Sequence, residues 1–264
     1  MTALISVVIA THNRPHLLAD TVRSALEQDG PVEIVVVDDG PTRSARPVIE
    51  ALSDPRVRYL ANPQPSTGRP AAVRNFGATQ TTGSLLHFLD DDDRVPPGFY
   101  AAARAALTDR RRAGLVYGVI EPFGDDPAVI ATERAYFHRA RRRSRLCRRL
   151  GHRWAFVAHM LFNATLLVCS AAIIRRSALG TGFNEALMLG EDVDLHTRIM
   201  RETGAVFLDQ PTLHYRIGPS LMRQPAVDQL IRQSAAMGHA AYRARWGSAE
   251  YLALRIVARG LRWP

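Results

Sequence analysis

Four short apolar runs rich in β-branched residues set the architecture of this chain, because each is closed by turn or acidic residues and followed by a segment of helical spacing. They are "LISVVIA" (4–10), "VEIVVVDD" (32–39), "VRYLA" (57–61) and "SLLHFLD" (84–90). Runs of this length and composition read as strands buried on both faces. Between them, Leu17, Leu18, Thr21, Val22, Ala25 and Leu26 recur at helical spacing, as do Val48, Ile49 and Leu52, and then the stretch from Ala71 to Ala78. Strand alternating with helix demands a mostly parallel α/β sheet with helices flanking it. Ligands of such sheets lie outside the carboxyl ends of the strands. The polar segments "THNR" (11–14), "DDG" (38–40) and "DDDD" (90–93) are therefore expected to converge on one edge.

The chemistry of those segments follows from their residue types. Four consecutive aspartates repel one another unless a cation holds them, and carboxylate oxygens suit a hard divalent ion, Mn²⁺ or Mg²⁺. Side chains two apart on an extended segment share a side, which pairs Asp90 with Asp92, although spacing alone singles out neither. An acidic run is equally able to form a solvated turn; the position at a strand end favours the ligand site. In "VVVDDG", Asp38 or Asp39 either caps the following helix or accepts hydrogen bonds from a nucleotide's sugar or base. Arg14, Arg69 and Arg74 stand in segments that approach the same edge, where guanidinium forks match a diphosphate. In "LGEDVDLHTRI", Glu191 and Asp192 open a helix whose positive end keeps a carboxylate ionised, the state a general base requires.

Composition narrows the class. At 264 residues the chain fits one large domain or one domain with a small appendage. Its formal charge is +9 and it contains no lysine, so every strong base is arginine and the natural partners are anionic. Cys147 and Cys169 form neither a disulfide framework nor a zinc site, which fits a reducing compartment. The N-terminus lacks a basic region ahead of its apolar run and reads as a strand rather than a signal peptide. Residues 154–174 are uncharged over a length that spans a bilayer, but His159, Asn163, Thr165 and Ser170 break the run. "RAYFHRARRRSRLCRRLGHR" (134–153) is a strongly basic helical segment, with Arg139, Arg141, Arg142, Arg143, Arg145, Arg148 and Arg149 in its middle.

Taken in order, "SVVIATHNR", "IVVVDDG", "RNFGATQTTGSLLHFLDDDDRVPP" and "GTGFNEALMLGEDVDLHTRI" resemble a family 2 glycosyltransferase of the GT-A fold, from about residue 4 to residue 222. The resemblance implies a donor-binding set of Thr11, His12, Arg14, Asp38, Asp39, Arg74 and Asp91. In it Thr11 borders the nucleoside, Asp39 takes the uracil edge, and Arg14 and Arg74 approach the diphosphate. Asp90 and Asp92 become a DxD metal element for Mn²⁺ or Mg²⁺, with Asp92 preferred as direct ligand. Asp192 becomes the catalytic base, and Glu191 assists on the acceptor side. The implied reaction is inverting transfer from a nucleotide-sugar, a UDP-sugar by preference, to a hydroxyl acceptor. It also rules out a span at 154–174, which would put Asp192 across the bilayer from Asp92. Two positions depart from the family pattern. His12 stands where an aromatic residue is common, and Gly218 stands where relatives carry a histidine, leaving His214 as a substitute.

The implied domains are a catalytic unit over 1–222, with a nucleotide-sugar half (1–110) and an acceptor half (111–222), followed by a helical extension over 223–264. The arginine-rich segment and the C-terminal "YLALRIVARGLRWP" point to an anionic or lipid-linked acceptor and to peripheral contact at the inner face of the membrane by a cytoplasmic protein. Two rivals are ranked lower. A sugar-nucleotide pyrophosphorylase lacks its glycine-rich, basic N-terminal signature here, and a nucleic-acid-binding module leaves the acids at three element ends without a purpose.

Overall fold

The computed structural model describes residues 2–66, 69–163, 165–218 and 227–261. Four strands, β1 (Ile5–Thr11), β2 (Val32–Asp38), β3 (Val57–Ala61) and β4 (Leu85–Asp90), run parallel in the order β3-β2-β1-β4. The register sets Ala10 opposite Asp90 and Thr11 opposite Asp38, so the strands deliver their last residues to one line. Ile5, Val7, Val8, Ile9, Ile34, Val35, Val36 and Val37 are fully buried, as strands covered on both faces must be.

Helices α1 (Pro15–Leu26), α2 (Ala45–Leu52), α3 (Pro70–Thr79) and α4 (Phe99–Asp109) alternate with these strands. Proline opens both α1 and α3, where its missing N–H costs nothing. Gly77 lets α3 lie close on the sheet, since a Cβ there would run into the Val8 side chain.

The second half changes direction. β5 (Leu115–Gly124), β6 (Ala172–Arg175) and β7 (Ala205–Ile217) complete a seven-stranded sheet of order β3-β2-β1-β4-β6-β5-β7. β6 is antiparallel to both neighbours, whereas β7 is parallel to β5. The basic segment 134–153 is not one helix: it fills the greater part of α5 (Pro127–Leu150), which starts seven residues earlier, and then passes through Gly151 and His152 to Arg153, the first residue of the next helix. Asp126 caps α5 by accepting from the backbone N–H groups of Ala128 and Val129 at 3.0 and 3.1 Å. The uncharged stretch 154–174 divides into α6 (Arg153–Phe162), a short 3₁₀ turn over Cys169–Ala171 and β6. Among the described residues, no helix is long and apolar enough to cross a membrane.

The chain then forms α7 (Glu191–Thr203) and, after β7, α8 (Val227–Trp246) and α9 (Ser248–Gly260). The last two pack back against the body: Arg201 of α7 donates to both Glu250 oxygens at 3.0 and 2.8 Å, and the Tyr242 hydroxyl reaches the same carboxylate at 2.6 Å. The boundary expected at 222 and 223, the end of "LHYRIGPSLM" and the final residues 262–264 lie outside the described residues.

Candidate active site at the carboxyl edge of the sheet

The three polar segments that follow β1, β2 and β4 do converge, and α7 arrives beside them. After β1 the chain turns sharply through Asn13, whose φ of 56° is a conformation asparagine tolerates better than most residues. That turn brings Arg14 back over the aspartates. Its Nη1 donates to Asp92 Oδ2 at 2.7 Å and its Nη2 pairs with Asp91 Oδ1. Burial works against the Arg14 charge, yet Asp91, Asp92 and Asp90 together hold its pKa above the ordinary value.

Arg74 of α3 is the second clamp. It is almost wholly buried, donates from Nη2 to Asp90 Oδ1 and from Nη1 to Glu191 Oε1, both at 2.6 Å, and lies 5.5 Å from the centre of the Phe183 ring. One side chain thus ties the end of β4 to the start of α7. Gly190, with φ of 74°, supplies the turn that lets Glu191 and Asp192 enter there.

Several assignments made from the sequence shift. Asp38 is fully buried and accepts from Gly40 N (2.9 Å), Ala45 N (3.2 Å) and the Tyr59 hydroxyl (3.3 Å). It closes the loop into α2, the capping alternative, rather than facing a ligand. Its neighbour Asp39 is oriented at the edge by Asn62 Nδ2 (2.6 Å) and by the N–H and hydroxyl of Ser66 (2.9 and 2.7 Å). His12, about half exposed, places Nδ1 3.8 Å from the same carboxylate. Thr11 turns its hydroxyl inward to Asp91 Oδ2 at 2.6 Å, and Asp91 is fully buried. Both therefore position Arg14 from beneath. Arg74 spends both nitrogens on acids instead of reaching freely toward a diphosphate. Arg69 donates to the Glu185 carbonyl at 3.3 Å. His214 packs its ring beside Glu121, 3.5 Å away, and edge-on to Phe123, in a cleft beyond the aspartates.

Residues that sequence reasoning missed complete the frame. The Ser170 hydroxyl oxygen accepts from the Asp90 backbone N–H at 3.0 Å, and Arg216 donates its backbone N–H to Asp93 Oδ1 (2.9 Å) and its Nε to the Asp92 carbonyl (2.8 Å). Ser170 sits in no motif, and Arg216, although part of the late-strand "YR" of "LHYRIGPSLM", carries no sign there of its contact; each lies far from its partner in sequence. Asn62 and Ser66 carried a weak signal, as polar residues after β3 on the same edge.

The electrostatics show a shortage of positive charge. Burial pushes Asp91 up to about 7, with Arg14 offsetting part of the shift. Burial likewise raises Asp92 and raises Asp93 well above the carboxylate range, each beside Asp90. Asp192 is pushed up to about 7 by burial and then by Glu191 beside it, although Val193 N donates to its Oδ1 at 2.8 Å. The carboxylates of this edge outnumber the guanidinium groups among them. Asp90 and Asp92, the less buried of the four at 33% and 19% side-chain exposure, are the oxygen donors a hard divalent cation would take. Each already meets an arginine, Arg74 and Arg14 respectively, and among the described residues no three acids, histidines or cysteines stand together as a preformed metal site; Mn²⁺ or Mg²⁺ would draw on these two carboxylates, with oxygens of the bound donor as its other ligands.

Residues 6–183 match the family described as Glycosyl transferase family 2. The succinoglycan biosynthesis protein ExoU of Rhizobium meliloti (strain 1021) is 27% identical over 211 residues, covering 74% of this chain and 56% of that protein. The GalNAc(5)-diNAcBac-PP-undecaprenol beta-1,3-glucosyltransferase of Campylobacter jejuni is 35% identical over 97 residues, or 36% of this chain and 31% of its own length. This chain spans about half or less of the length of such curated relatives. Among solved structures, S. aureus TarS 1-349 in complex with UDP-GlcNAc aligns with a TM-score of 0.60 at 18% identity, over 89% of this chain and 66% of that one. The mannosyltransferase PcManGT of Pyrobaculum calidifontis, in complex with GDP-Man and Mn²⁺, aligns with a TM-score of 0.59 at 19% identity, over 97% and 79%. These likenesses are of fold.

Proposed function

The chain belongs to glycosyl transferase family 2 and has the GT-A fold, and from that premise we propose that it is an inverting glycosyltransferase that uses a UDP-sugar, with Asp192 as its general base. The observation that carries this reading is Asp192, a carboxylate at a helix N-terminus, raised to about 7 and linked through Glu191 and Arg74 to the β4 aspartates. A base titrating near the working pH combines ionisation with proton affinity.

In the reaction an acceptor hydroxyl attacks the anomeric carbon while Asp192 takes its proton. The new glycosidic bond forms as the bond to the nucleoside diphosphate breaks, and the configuration inverts. Arg74 holds Glu191 and Asp90 in fixed relation, which keeps base and donor aligned. Asp39, oriented by Asn62 and Ser66, receives the base edge, with His12 beside it. Asp90 and Asp92 would hold Mn²⁺ or Mg²⁺, whose chemistry is to neutralise charge on the departing diphosphate.

The donor preference takes support from the UDP complexes of TarS, against the GDP-Man complex of PcManGT. The name of the Campylobacter relative records a diphosphate-linked lipid acceptor. We adopt an anionic, lipid-linked acceptor on that ground, at the inner face of the membrane. The outer strip of α9 supports peripheral contact there: Leu252 and Ile256 are 55% and 70% exposed, with Arg255 and Arg259 alongside.

Calorimetric titration with UDP-, GDP- and dTDP-sugars, in Mn²⁺ or Mg²⁺ and then in EDTA, tests the donor site. Binding of the UDP-sugar that EDTA abolishes is the expected result; tighter binding of another nucleotide class, or indifference to EDTA, would refute the donor or the metal assignment respectively.

A further inference from the structure

Beyond the aspartates lies a cleft of about 600 Å³ with one largely apolar wall and one basic wall. One wall is the end of β5 with its neighbour β7, carrying Val119, Ile120, Pro122, Phe123 and His214. The other is α5, which turns Arg134, Phe137, His138 and Arg141 inward. Their i, i+3, i+4, i+7 spacing is one face of a helix, so the cations of that face stand in a row. Arg94 closes the end nearest the catalytic edge.

The charges are unevenly met. Arg94 has its Nη2 on Asp20 at 2.6 Å, but its Nε is buried and without a hydrogen-bond partner among the described residues. Arg141 pairs with Asp209 at 2.7 Å, and His214 stands 3.5 Å from Glu121. Among the described residues of the lining, Glu121 is the sole acid, beside three arginines and two histidines. The floor is apolar, since Val119, Ile120, Pro122 and Phe137 are buried.

A short chain of contacts joins the cleft to the active site. The Phe123 ring lies 5.2 Å from the Arg94 guanidinium and 4.6 Å from that of Arg216, and Arg216 donates to the Asp92 carbonyl. Arg94 directly follows the four aspartates and exchanges backbone hydrogen bonds with His214 at 3.0 and 2.9 Å. A molecule seated here would face the donor across Phe123 and Arg216.

We propose that this cleft binds the acceptor through a phosphate or diphosphate group, with an apolar portion of the acceptor on Phe123 and Phe137. The assignment rests on the glycosyltransferase reading above and adds to it the place and chemistry of acceptor recognition. Guanidinium forks favour phosphate oxygens, and an apolar floor beside them selects an amphipathic phosphate over a free one.

The test is equilibrium binding of citronellyl diphosphate in EDTA, which withholds the divalent ion from the donor edge, with citronellol, inorganic pyrophosphate and glucose 1-phosphate as comparison ligands. UDP with Mn²⁺ is titrated separately. Citronellyl diphosphate is expected to bind, to resist competition by UDP, and to weaken about tenfold or more in the double variant Arg134→Gln, Arg141→Gln, each lost charge-assisted contact contributing. UDP affinity should be unchanged in that variant, which shows that it folds. Binding of glucose 1-phosphate in place of the citronellyl compound, lost in the same variant, would keep the phosphate site and assign it to a soluble acceptor. Equal binding of citronellol, or binding untouched by the variant, would overturn the proposal. If UDP binds and no phosphate ligand does, the cleft assignment fails alone; if the citronellyl compound binds the cleft and no nucleotide binds the edge, the donor reading fails and the cleft stands.

Discussion

The edge formed by β1, β2 and β4 and the flank formed by β5, β7 and α5 handle charge in opposite ways. At the edge, acids outnumber arginines, and Arg14 and Arg74 each bridge two carboxylates in buried or half-buried positions. On the flank, arginines outnumber acids and stand in the open: Arg141, Arg145 and Arg148 share the single Asp209. The first arrangement is a fixed constellation that lacks positive charge, and the second is an accessible surface that lacks negative charge. One suits a cation-bridged diphosphate and the other suits an anionic group brought by a second substrate.

The sharpest way to break the edge is at its base. Asp192→Asn is expected to lower transfer by about 10²- to 10⁴-fold while leaving UDP affinity unchanged, because only proton removal in the transition state is lost. Initial rates with calorimetry on the same preparation check this, and strong residual turnover would move the base elsewhere. The wild-type kcat/KM should climb with pH and level off above about 7, the value to which burial and Glu191 raise this carboxylate.

Next in size is Arg74. Removing one partner from a buried ion pair leaves uncompensated charges, so Arg74→Gln should destabilise the fold by about 3–5 kcal/mol in urea unfolding. Arg74→Lys should fail to restore it, because a single ammonium cannot serve Asp90 and Glu191 with the geometry of a fork. A loss below about 1 kcal/mol would mean that the edge is not held together through this residue.

The bridge at Arg74 also marks how far the sequence can be read. The strands of the first half are legible because buried parallel strands must be continuous apolar runs, and the sheet rule then selects the residues that follow them. Legibility fails where position depends on packing between distant segments. Arg74 and Glu191 lie 117 residues apart, and Arg216 and Asp93 lie 123 apart. Asp38 and Asp39 are adjacent and chemically identical, and only the path of the loops decides which closes the loop into α2 and which stands beside His12, Asn62 and Ser66 at the edge. The arginine-rich helix reads as uniformly basic. Which of its arginines face the cleft depends on what α5 packs against, and Arg141 does so while also meeting Asp209 beside Arg145.

A proton-linked effect separates the two regions further. The folded-state pKa of Asp192 is above its ordinary value of 3.8, so between about 4 and about 7 the folded protein holds a proton that the unfolded chain has released. Stability of the metal-free protein should therefore fall as pH rises through that window, by at most about 1.4 kcal/mol per pH unit for this one group. Urea melts across the range should show the decline, and Asp192→Asn should make it shallower, the slope that remains belonging to Asp91, Asp92 and Asp93, which burial also raises. A slope unchanged by the substitution would assign no linked proton to Asp192.

Asp38 separates positioning from ligand contact. With its oxygens taken by Gly40 N, Ala45 N and the Tyr59 hydroxyl, Asp38→Ala strands buried donors and should cost about 1–3 kcal/mol. Asp39→Ala also strands donors, those of Asn62 and Ser66, and should in addition weaken nucleotide binding, which Asp38→Ala should leave unchanged. If the two variants exchanged these effects, the loop reading would have to be reversed.

The smallest expected effect belongs to the flank, and its smallness is the point. Arg145 pairs with Asp209 at 2.7 Å, but its side chain is about half exposed, and Arg141 meets the other oxygen of the same carboxylate at the same distance. Solvent screens such a pair, and the remaining arginines keep Asp209 neutralised, so Arg145→Gln should change stability by less than about 1 kcal/mol. Denaturation at low and high salt would measure it, and the difference from wild type should shrink as salt rises. A loss as large as that of Arg74→Gln would show that the flank is as rigidly built as the edge. A negligible loss leaves these guanidinium groups uncommitted to the fold, which is the condition for an anion to recruit them.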